Sequence, residues 1–193
     1  MKTSTDLPMM QFESAQQWED WLRENHATSP GVRLQIAKKG SDYNTLTYAE
    51  ALDVALCYGW IDGQKQALDD NFWLQRFTPR RPRSAWSKVN TEKAAALIAQ
   101  GRMQPAGLKV IEAAKQDGRW DAAYESQSRA VVPEDFLAAL DKNPKAKAFF
   151  ATLNSVNRYA MCYRIQTAKK SETRQARIEK FIAMLNENQK LYP

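Results

Sequence analysis

Arginine is concentrated in one stretch of the chain, where it could bind an anion. From Asn71 to Thr91 the sequence has no acidic residue and five basic ones, which are Arg76, Arg80, Arg81, Arg83 and Lys88. A guanidinium group forms paired hydrogen bonds with a carboxylate or a phosphate. Pro79 and Pro82 restrict the backbone here, and Trp86 could supply a stacking face. The stretch therefore predicts an anion site; a solvated basic edge, protected by its prolines from strand aggregation, is the alternative.

One carboxylate, Asp62, lies close to this stretch in the sequence and is flanked by glycines in GWIDG, residues 59–63. Glycine allows a tight turn and a close approach of the backbone to a neighbour. Held in such a turn, Asp62 could act as a general base or bind a ligand, with Trp60 beside it. The alternative is a structural turn in which Trp60 packs and Asp62 hydrogen-bonds its own backbone.

Other catalytic and metal-binding patterns are absent from the sequence. Ser84 and Ser87 lie outside any GxSxG motif, and His26 is the only histidine. One histidine and two distant cysteines give no metal-ligand spacing, and no phosphate-binding glycine loop is present. We therefore predict no metal and no cofactor. Cys57 and Cys162 lie in apolar helical patterns, which predicts that both thiols are buried and unpaired.

The pattern of apolar residues predicts a mixed α+β fold that positions these side chains. A helix begins at Ser14, and a second begins at the capping box of Thr47 and Glu50. The segments VRLQIAKK and FWLQRF alternate apolar and polar residues, as half-buried strands do, and ALDDN supplies a hairpin turn. After Asn90 the pattern is helical. The expected fold is a small antiparallel sheet with flanking helices, followed by a helical C-terminal module.

Length and charge limit the class of protein. A chain of 193 residues with 44% hydrophobic and 26% charged residues can bury a core without disulfides. The net charge is +6, and the positive excess lies after Asn71. No apolar run approaches the length of about 18 residues that a membrane span needs, and the first residues lack a secretory signal. We therefore predict no membrane span and a cytoplasmic location.

Five phrases of the sequence occur in a recognisable order between Trp18 and Ile182. They are LTYAEALDVALCYGWIDGQ, RFTPRRPRSAWSKVN, GRMQPAG, AAKQDGRWDAAY and AKKSETRQARI. Together they resemble the YdeI/OmpD-associated family, whose members are also called bacteriocin-protection proteins. The resemblance implies an N-terminal part similar to the YjbR/CyaY-like group and a helical module at the C-terminus. It also implies a role in protection against bacteriocins or envelope stress, and it identifies no reaction.

The chain is expected to fold as two domains. Residues 12–127 would form the α+β domain, after a loose arm at residues 1–11. Residues 128–193 would form the bacteriocin-protection module, packed on the first domain because its apolar residues would otherwise be exposed. The boundary is expected near residues 126–132.

These features predict a cytoplasmic binding protein rather than an enzyme. Its partner would be a small anionic ligand or an acidic protein surface. The residues expected to bind it are Trp60, Asp62, Arg76, Arg80, Arg81, Arg83 and Trp86. Two alternatives stay open: an enzyme that acts on a small anionic substrate with Asp62 as its base, and a nucleic-acid binder, which is less favoured.

Overall fold

The computed structural model describes residues 7–125, 131–168 and 170–193, and it has four strands and eight helices there. The strands are β1 (Met9–Met10), β2 (Val32–Ala37), β3 (Trp60–Ala67) and β4 (Phe72–Pro79). The helices are α1 (Ala15–Asn25), α2 (Tyr48–Cys57), α3 (Lys88–Ala99), α4 (Pro105–Gln116), α5 (Glu134–Asp141), α6 (Pro144–Thr152), α7 (Ser155–Gln166) and α8 (Ser171–Asn186). The mixed α+β class, with a helical C-terminal part, is therefore confirmed.

Contacts between residues divide the chain into two compact units. The first unit comprises Met1–Trp86 and Asn90–Ala122, and the second comprises Ser87–Val89 and Ala123–Pro193. Of the boundary expected near residues 126–132, residues 126–130 lie outside the described residues. Within the described part of the chain, no helix is both long and apolar enough to cross a membrane.

The sheet of the first unit has the strand order β1-β2-β4-β3. Strand β4 pairs antiparallel with both β2 and β3, and the β3–β4 hairpin contains the predicted turn. Strand β1 pairs parallel with β2, with Met9 opposite Arg33. The expected loose arm was therefore wrong at Met9 and Met10, because a pairing across more than 20 residues leaves no local signal. Residues 1–6 of that arm lie outside the described residues.

Local sequence signals determine where α1 and α2 begin and where α2 ends. The Ser14 hydroxyl accepts a hydrogen bond from the backbone N–H of Gln17 at the start of α1. Thr47 and Glu50 form the predicted capping box at the start of α2. Gly59 follows α2 with φ +74°, a left-handed conformation that glycine adopts without steric cost. The chain can therefore reverse there and enter β3.

The core of the first unit is built around Trp18 of α1. Its ring lies 5.9 Å from that of Phe77 on β4 and 6.2 Å from that of Trp60 on β3, measured between ring centroids. The indole N–H of Trp18 donates to the carbonyl of Ala51 in α2 at 3.1 Å. Helices α1 and α2 are thereby joined to each other, and α1 packs against the sheet at these aromatic rings.

The second unit has an apolar core of its own. Phe136 of α5 lies at its centre, with ring centroids 5.5 Å from Phe150 of α6 and 6.4 Å from Phe181 of α8. Cys162 is buried in this core, and Cys57 is buried in the first unit. Both thiols are free, so the prediction of buried, unpaired cysteines is confirmed.

Candidate functional site

The arginine-rich stretch begins at the end of β4 and continues as a loop to Trp86. The N–H of Arg80 donates to the carbonyl of Gly59 at 3.0 Å, which joins the start of the loop to the end of α2. Further on, the N–H of Ser84 donates to the carbonyl of Arg81 at 3.0 Å and closes a turn. These two backbone contacts give the loop a defined course between its prolines.

Arg80 is stacked on Trp86. The guanidinium carbon of Arg80 lies 3.5 Å from the centroid of the Trp86 ring, and its Nη1 donates to the carbonyl of Ala85 at 3.2 Å. Trp86 is only 1% exposed and also contacts Trp120, with ring centroids 5.0 Å apart. A cation held over an aromatic face in this way is attracted to the π-electron density of the ring. Arg80 is therefore a fixed, planar cation.

Arg80 and Trp86 line a cleft of about 290 Å³ that lies within the first unit. We call it the Trp86 cleft. Its lining residues come from the loop, from one face of α4 and from the turn after α4; they are Arg80, Arg81, Pro82, Trp86, Lys109, Val110, Ala113, Asp117 and Arg119. Lys109, Ala113 and Asp117 follow one another at four-residue spacing, so they share a face of the helix.

Positive charge dominates the lining of the Trp86 cleft. Four of its side chains are cationic and one, Asp117, is anionic. Arg119 binds Asp117 through Nε at 2.7 Å, and its Nη1 donates to the carbonyl of Ser84 at 2.9 Å. Among the residues that the structure describes, Arg81 and Lys109 form no ion pair. The uncompensated charge therefore lies on the loop and on α4.

Two of the predicted arginines lie away from this cleft. Arg76 is on β4, and its guanidinium covers Gly63 of β3 so closely that a Cβ on Gly63 would lie 2.8 Å from Nε. Arg83 belongs to the same loop as Arg80 and is exposed, but it does not line the cleft. The structure thus brings Arg80, Arg81 and Trp86 together and leaves Arg76 and Arg83 apart from them.

The GWIDG segment also lies outside the lining of the Trp86 cleft. Trp60 is buried in the aromatic core, and its indole N–H donates to the carbonyl of His26 at 3.1 Å. Asp62 is on β3 and accepts a hydrogen bond from the Tyr48 hydroxyl at 2.9 Å. Burial of Tyr48, followed by the charge and the hydrogen bond of Asp62, raises the pKa of Tyr48. The structure therefore pairs Asp62 with a tyrosine rather than with the arginines of the cleft.

Lys109 and Arg119 line the cleft and were not predicted from the sequence. Lys109 is one cation on an ordinary amphipathic helix, and no local pattern shows which loop that helix faces. Arg119 belongs to the segment RWDAAY after α4, and no local pattern there links the arginine to the loop. Only the three-dimensional contact between α4 and the loop identifies the two side chains as members of one site.

A second cleft of about 290 Å³ lies at the end of α1, and we call it the His26 cleft. It is lined by Glu19, Arg23, His26, Tyr58, Gln104, Pro105 and Ala106. His26 Nδ1 lies 2.9 Å from the carbonyl of Leu22, so Nδ1 donates there, and Nε2 carries the lone pair when the ring is neutral. Burial, followed by the charge of Glu19, raises the pKa of Tyr58, and Arg23 opposes that rise.

Neither cleft has the composition of a metal centre. Across residues 7–125, 131–168 and 170–193, no three His, Cys, Asp or Glu side chains come together as a metal ligand set. The chemistry available at the Trp86 cleft is hydrogen bonding and charge attraction from guanidinium and ammonium groups.

Comparison with known proteins gives two family matches. Residues 129–188 match the model described as Bacteriocin-protection, YdeI or OmpD-Associated, so the resemblance to that family is confirmed for the C-terminal part. Residues 10–110 match the model described as Domain of unknown function (DUF8412), and similarity to the YjbR/CyaY-like group stays a prediction. No curated protein and no solved structure matches the chain significantly. Because residues 10–110 are slightly more than half of the 193 residues, the chain belongs to the family of the domain of unknown function DUF8412.

Proposed function

We propose that the chain is a binding protein for a small anionic ligand, which it takes into the Trp86 cleft. The observation that carries the proposal is that four cationic side chains and only one carboxylate line a single concave site. Arginine and lysine side chains donate charge-assisted hydrogen bonds to carboxylates and phosphates, and a cleft with an excess of one sign of charge concentrates the opposite ion.

The shape of the site supports a small ligand over a macromolecule. A cleft of about 290 Å³ is at the lower end of the range for small-molecule sites, whereas a strand of nucleic acid needs an extended groove. Arg80 also requires little further ordering, because it is already stacked on Trp86. The small volume therefore favours an individual anion over a nucleic acid or an acidic protein surface.

The biological setting of this binding is taken from the family matched by residues 129–188. The name of that family refers to protection against bacteriocins. We infer that ligand binding by the first unit serves a protective response of this kind, in which the second unit takes part. A cytoplasmic location stays a prediction from the sequence.

The test uses two variants from the same loop. Arg81→Ala removes a cation that lines the cleft, and Arg83→Ala removes an exposed cation that does not line it. Inorganic phosphate and acetate would be titrated against each protein at fixed ionic strength, with binding followed by NMR chemical shifts. We expect Arg81→Ala to weaken binding of one or both anions about tenfold, since a charge-assisted hydrogen bond is lost. Arg83→Ala should change the affinity by less than about twofold.

Three outcomes would contradict the proposal. Equal losses in the two variants would show that the anion responds to general surface charge and not to the cleft. An absence of binding by any anion in the wild-type protein would exclude the site altogether. Tight binding of a single-stranded oligonucleotide, with a steep dependence on salt, would favour the nucleic-acid alternative instead.

A further inference from the structure

The Trp86 cleft is not a purely polar site. Between its cations lie Pro82, Val110 and Ala113, which present apolar surface from the loop and from α4. A small inorganic anion is strongly hydrated and would lose water against that surface without gaining hydrogen bonds from it. A ligand that has an apolar part as well as a charge would satisfy both kinds of lining.

Arg80 determines which shape of ligand fits the Trp86 cleft best. Trp86 is almost fully buried, with Arg80 stacked on its ring, so a ligand that enters the cleft meets the guanidinium plane of Arg80 rather than a bare indole. A guanidinium group is flat and stacks on aromatic rings, and its position over Trp86 is already fixed. Trp86 was expected from the sequence to be a stacking face, and the guanidinium of Arg80, stacked on its ring, is an alternative flat surface for the same role.

We propose that the ligand is a planar aromatic or heteroaromatic anion. Its ring would stack on Arg80 and rest against Val110 and Ala113, and its acidic group would bind Arg81 and Lys109. The volume of about 290 Å³ leaves room for one ring system and one acidic group. The inference rests on the proposed function, because it describes the ligand of the same cleft.

The experiment compares probes that separate the ring from the charge. Benzoate and phenyl phosphate carry both features, acetate and inorganic phosphate carry only the charge, benzamide carries only the ring, and cyclohexanecarboxylate carries a charge on a ring that is not flat. Affinities would be measured by NMR titration of the whole chain. We expect benzoate or phenyl phosphate to bind at least about tenfold more tightly than its ring-free counterpart and than cyclohexanecarboxylate. Whichever of the two binds more tightly identifies the acidic group as a carboxylate or a phosphate.

A conservative variant tests the role of Arg80. Arg80→Lys keeps the positive charge and removes the flat guanidinium. We expect this variant to lose most of its preference for benzoate over acetate and for phenyl phosphate over inorganic phosphate, because the flat stacking surface is gone while the charge is kept. Arg83→Lys is the matched control, because it makes the same change in the same loop outside the lining of the cleft, and it should keep the preference.

The possible failures of the two proposals can be told apart. If acetate or phosphate binds as tightly as its aromatic counterpart, or if Arg80→Lys keeps the preference, the aromatic inference is wrong and the anion site stands. If no anionic probe binds, the proposed function is wrong. If benzamide binds as tightly as benzoate, the cleft recognises apolar rings without charge, and both proposals are overturned.

Discussion

The Trp86 cleft and the His26 cleft have the same volume, about 290 Å³ each, but their linings carry different charge. The His26 cleft has one carboxylate, Glu19, and one guanidinium, Arg23, which are one helical turn apart on α1. The Trp86 cleft has four cations and a single carboxylate. Equal volumes therefore correspond to different chemistry, and the charge that a lining leaves uncompensated is the better guide to a ligand.

The difference in charge between the two cleft linings has a simple origin in the sequence. Residues at i and i+4 on a helix are neighbours, so a helix of mixed charge neutralises its own surface, and Arg23 also contacts Asp20 at 2.9 Å. The loop of the Trp86 cleft contains no acidic residue and cannot do this. Helix α4 then adds Lys109 to the same side. Both clefts use α4: Ala106 at its start lines one, and Val110 lines the other.

The largest expected effect on stability comes from a substitution in α4, the helix that contributes residues to both clefts. A Cβ on Gly107 would lie 2.3 Å from the carbonyl oxygen of Cys57 and 2.5 Å from the sulfur of Met103. We expect Gly107→Ala to lower the free energy of unfolding by about 1–3 kcal/mol, because overpacking outweighs the better helix propensity of alanine. Urea denaturation would measure it.

Gly101→Ala is the control for this substitution. Gly101 has φ +69° and no neighbouring atom within 4 Å of the added Cβ, so the variant carries backbone strain without a clash. We expect it to cost about 1 kcal/mol. If Gly107→Ala proves as stable as the wild type, α2 and α4 are not as closely packed as the structure shows.

A charge reversal should make the Trp86 cleft resemble the His26 cleft in charge. Lys109→Glu changes the lining from four cations and one carboxylate to three cations and two carboxylates. We expect anion affinity to fall about tenfold or more, since like charges now oppose the ligand. Arg83→Glu reverses a charge outside the lining and should cost much less at the same ionic strength. Similar losses for both variants would remove the distinction between the cleft and the rest of the surface.

A third prediction concerns the His26 cleft and pH. The pKa of Tyr58 is raised in the folded protein, so its stabilising effect is complete below the ordinary tyrosine pKa of about 10 and is lost as the pH rises above it. The hydroxyl of Tyr58 accepts a hydrogen bond from Arg23, and we expect Tyr58→Phe to lower stability at pH 7 by about 1 kcal/mol through the loss of that bond. The same variant should lose less stability than the wild type between pH 9 and 11, two values chosen to lie about one unit on either side of that pKa.

Urea denaturation at the two pH values would measure this effect. Tyr43→Phe is the control, because Tyr43 is exposed and lies outside both cleft linings. An identical loss of stability on going to alkaline pH in the wild type and in Tyr58→Phe would contradict the assignment.

The smallest effect is expected at Asp62. Asp62→Asn keeps an oxygen that can accept the Tyr48 hydroxyl and leaves the Trp86 cleft untouched. We expect a change in unfolding free energy within about 0.5 kcal/mol and no change in anion affinity. The pKa of Tyr48 should fall, because the charge of Asp62 is one of the causes that raise it. A loss of ligand binding in this variant would instead support the enzyme alternative with Asp62 as its base.

The parts of the fold that were predictable depend on short-range signals. The capping box of Thr47 and Glu50, the turn at Gly59 and the hairpin turn between β3 and β4 all arise from residues near one another in the chain. The pairing of Met9 with Arg33 joins residues that are far apart in the chain, and it was not predicted.

The candidate site was only partly predictable for the same reason. The composition of the loop identified Arg80, Arg81 and Trp86, which the structure brings together at one cleft. Composition cannot show that Trp60 is a core residue or that Lys109 faces the loop from α4. Both facts depend on contacts between distant segments, and these are set by packing rather than by local propensity.

The close pair of Trp86 and Trp120 has an optical consequence. Their ring centroids are 5.0 Å apart and their planes are inclined by 58°, a geometry in which the electronic transitions of two indoles couple. Such coupling gives a paired positive and negative band in the circular dichroism spectrum, and Arg80 lies directly on one of the two chromophores. The protein thus carries a label-free spectroscopic reporter at the proposed site, and a ligand that shifts Arg80 would register as a change in that signal.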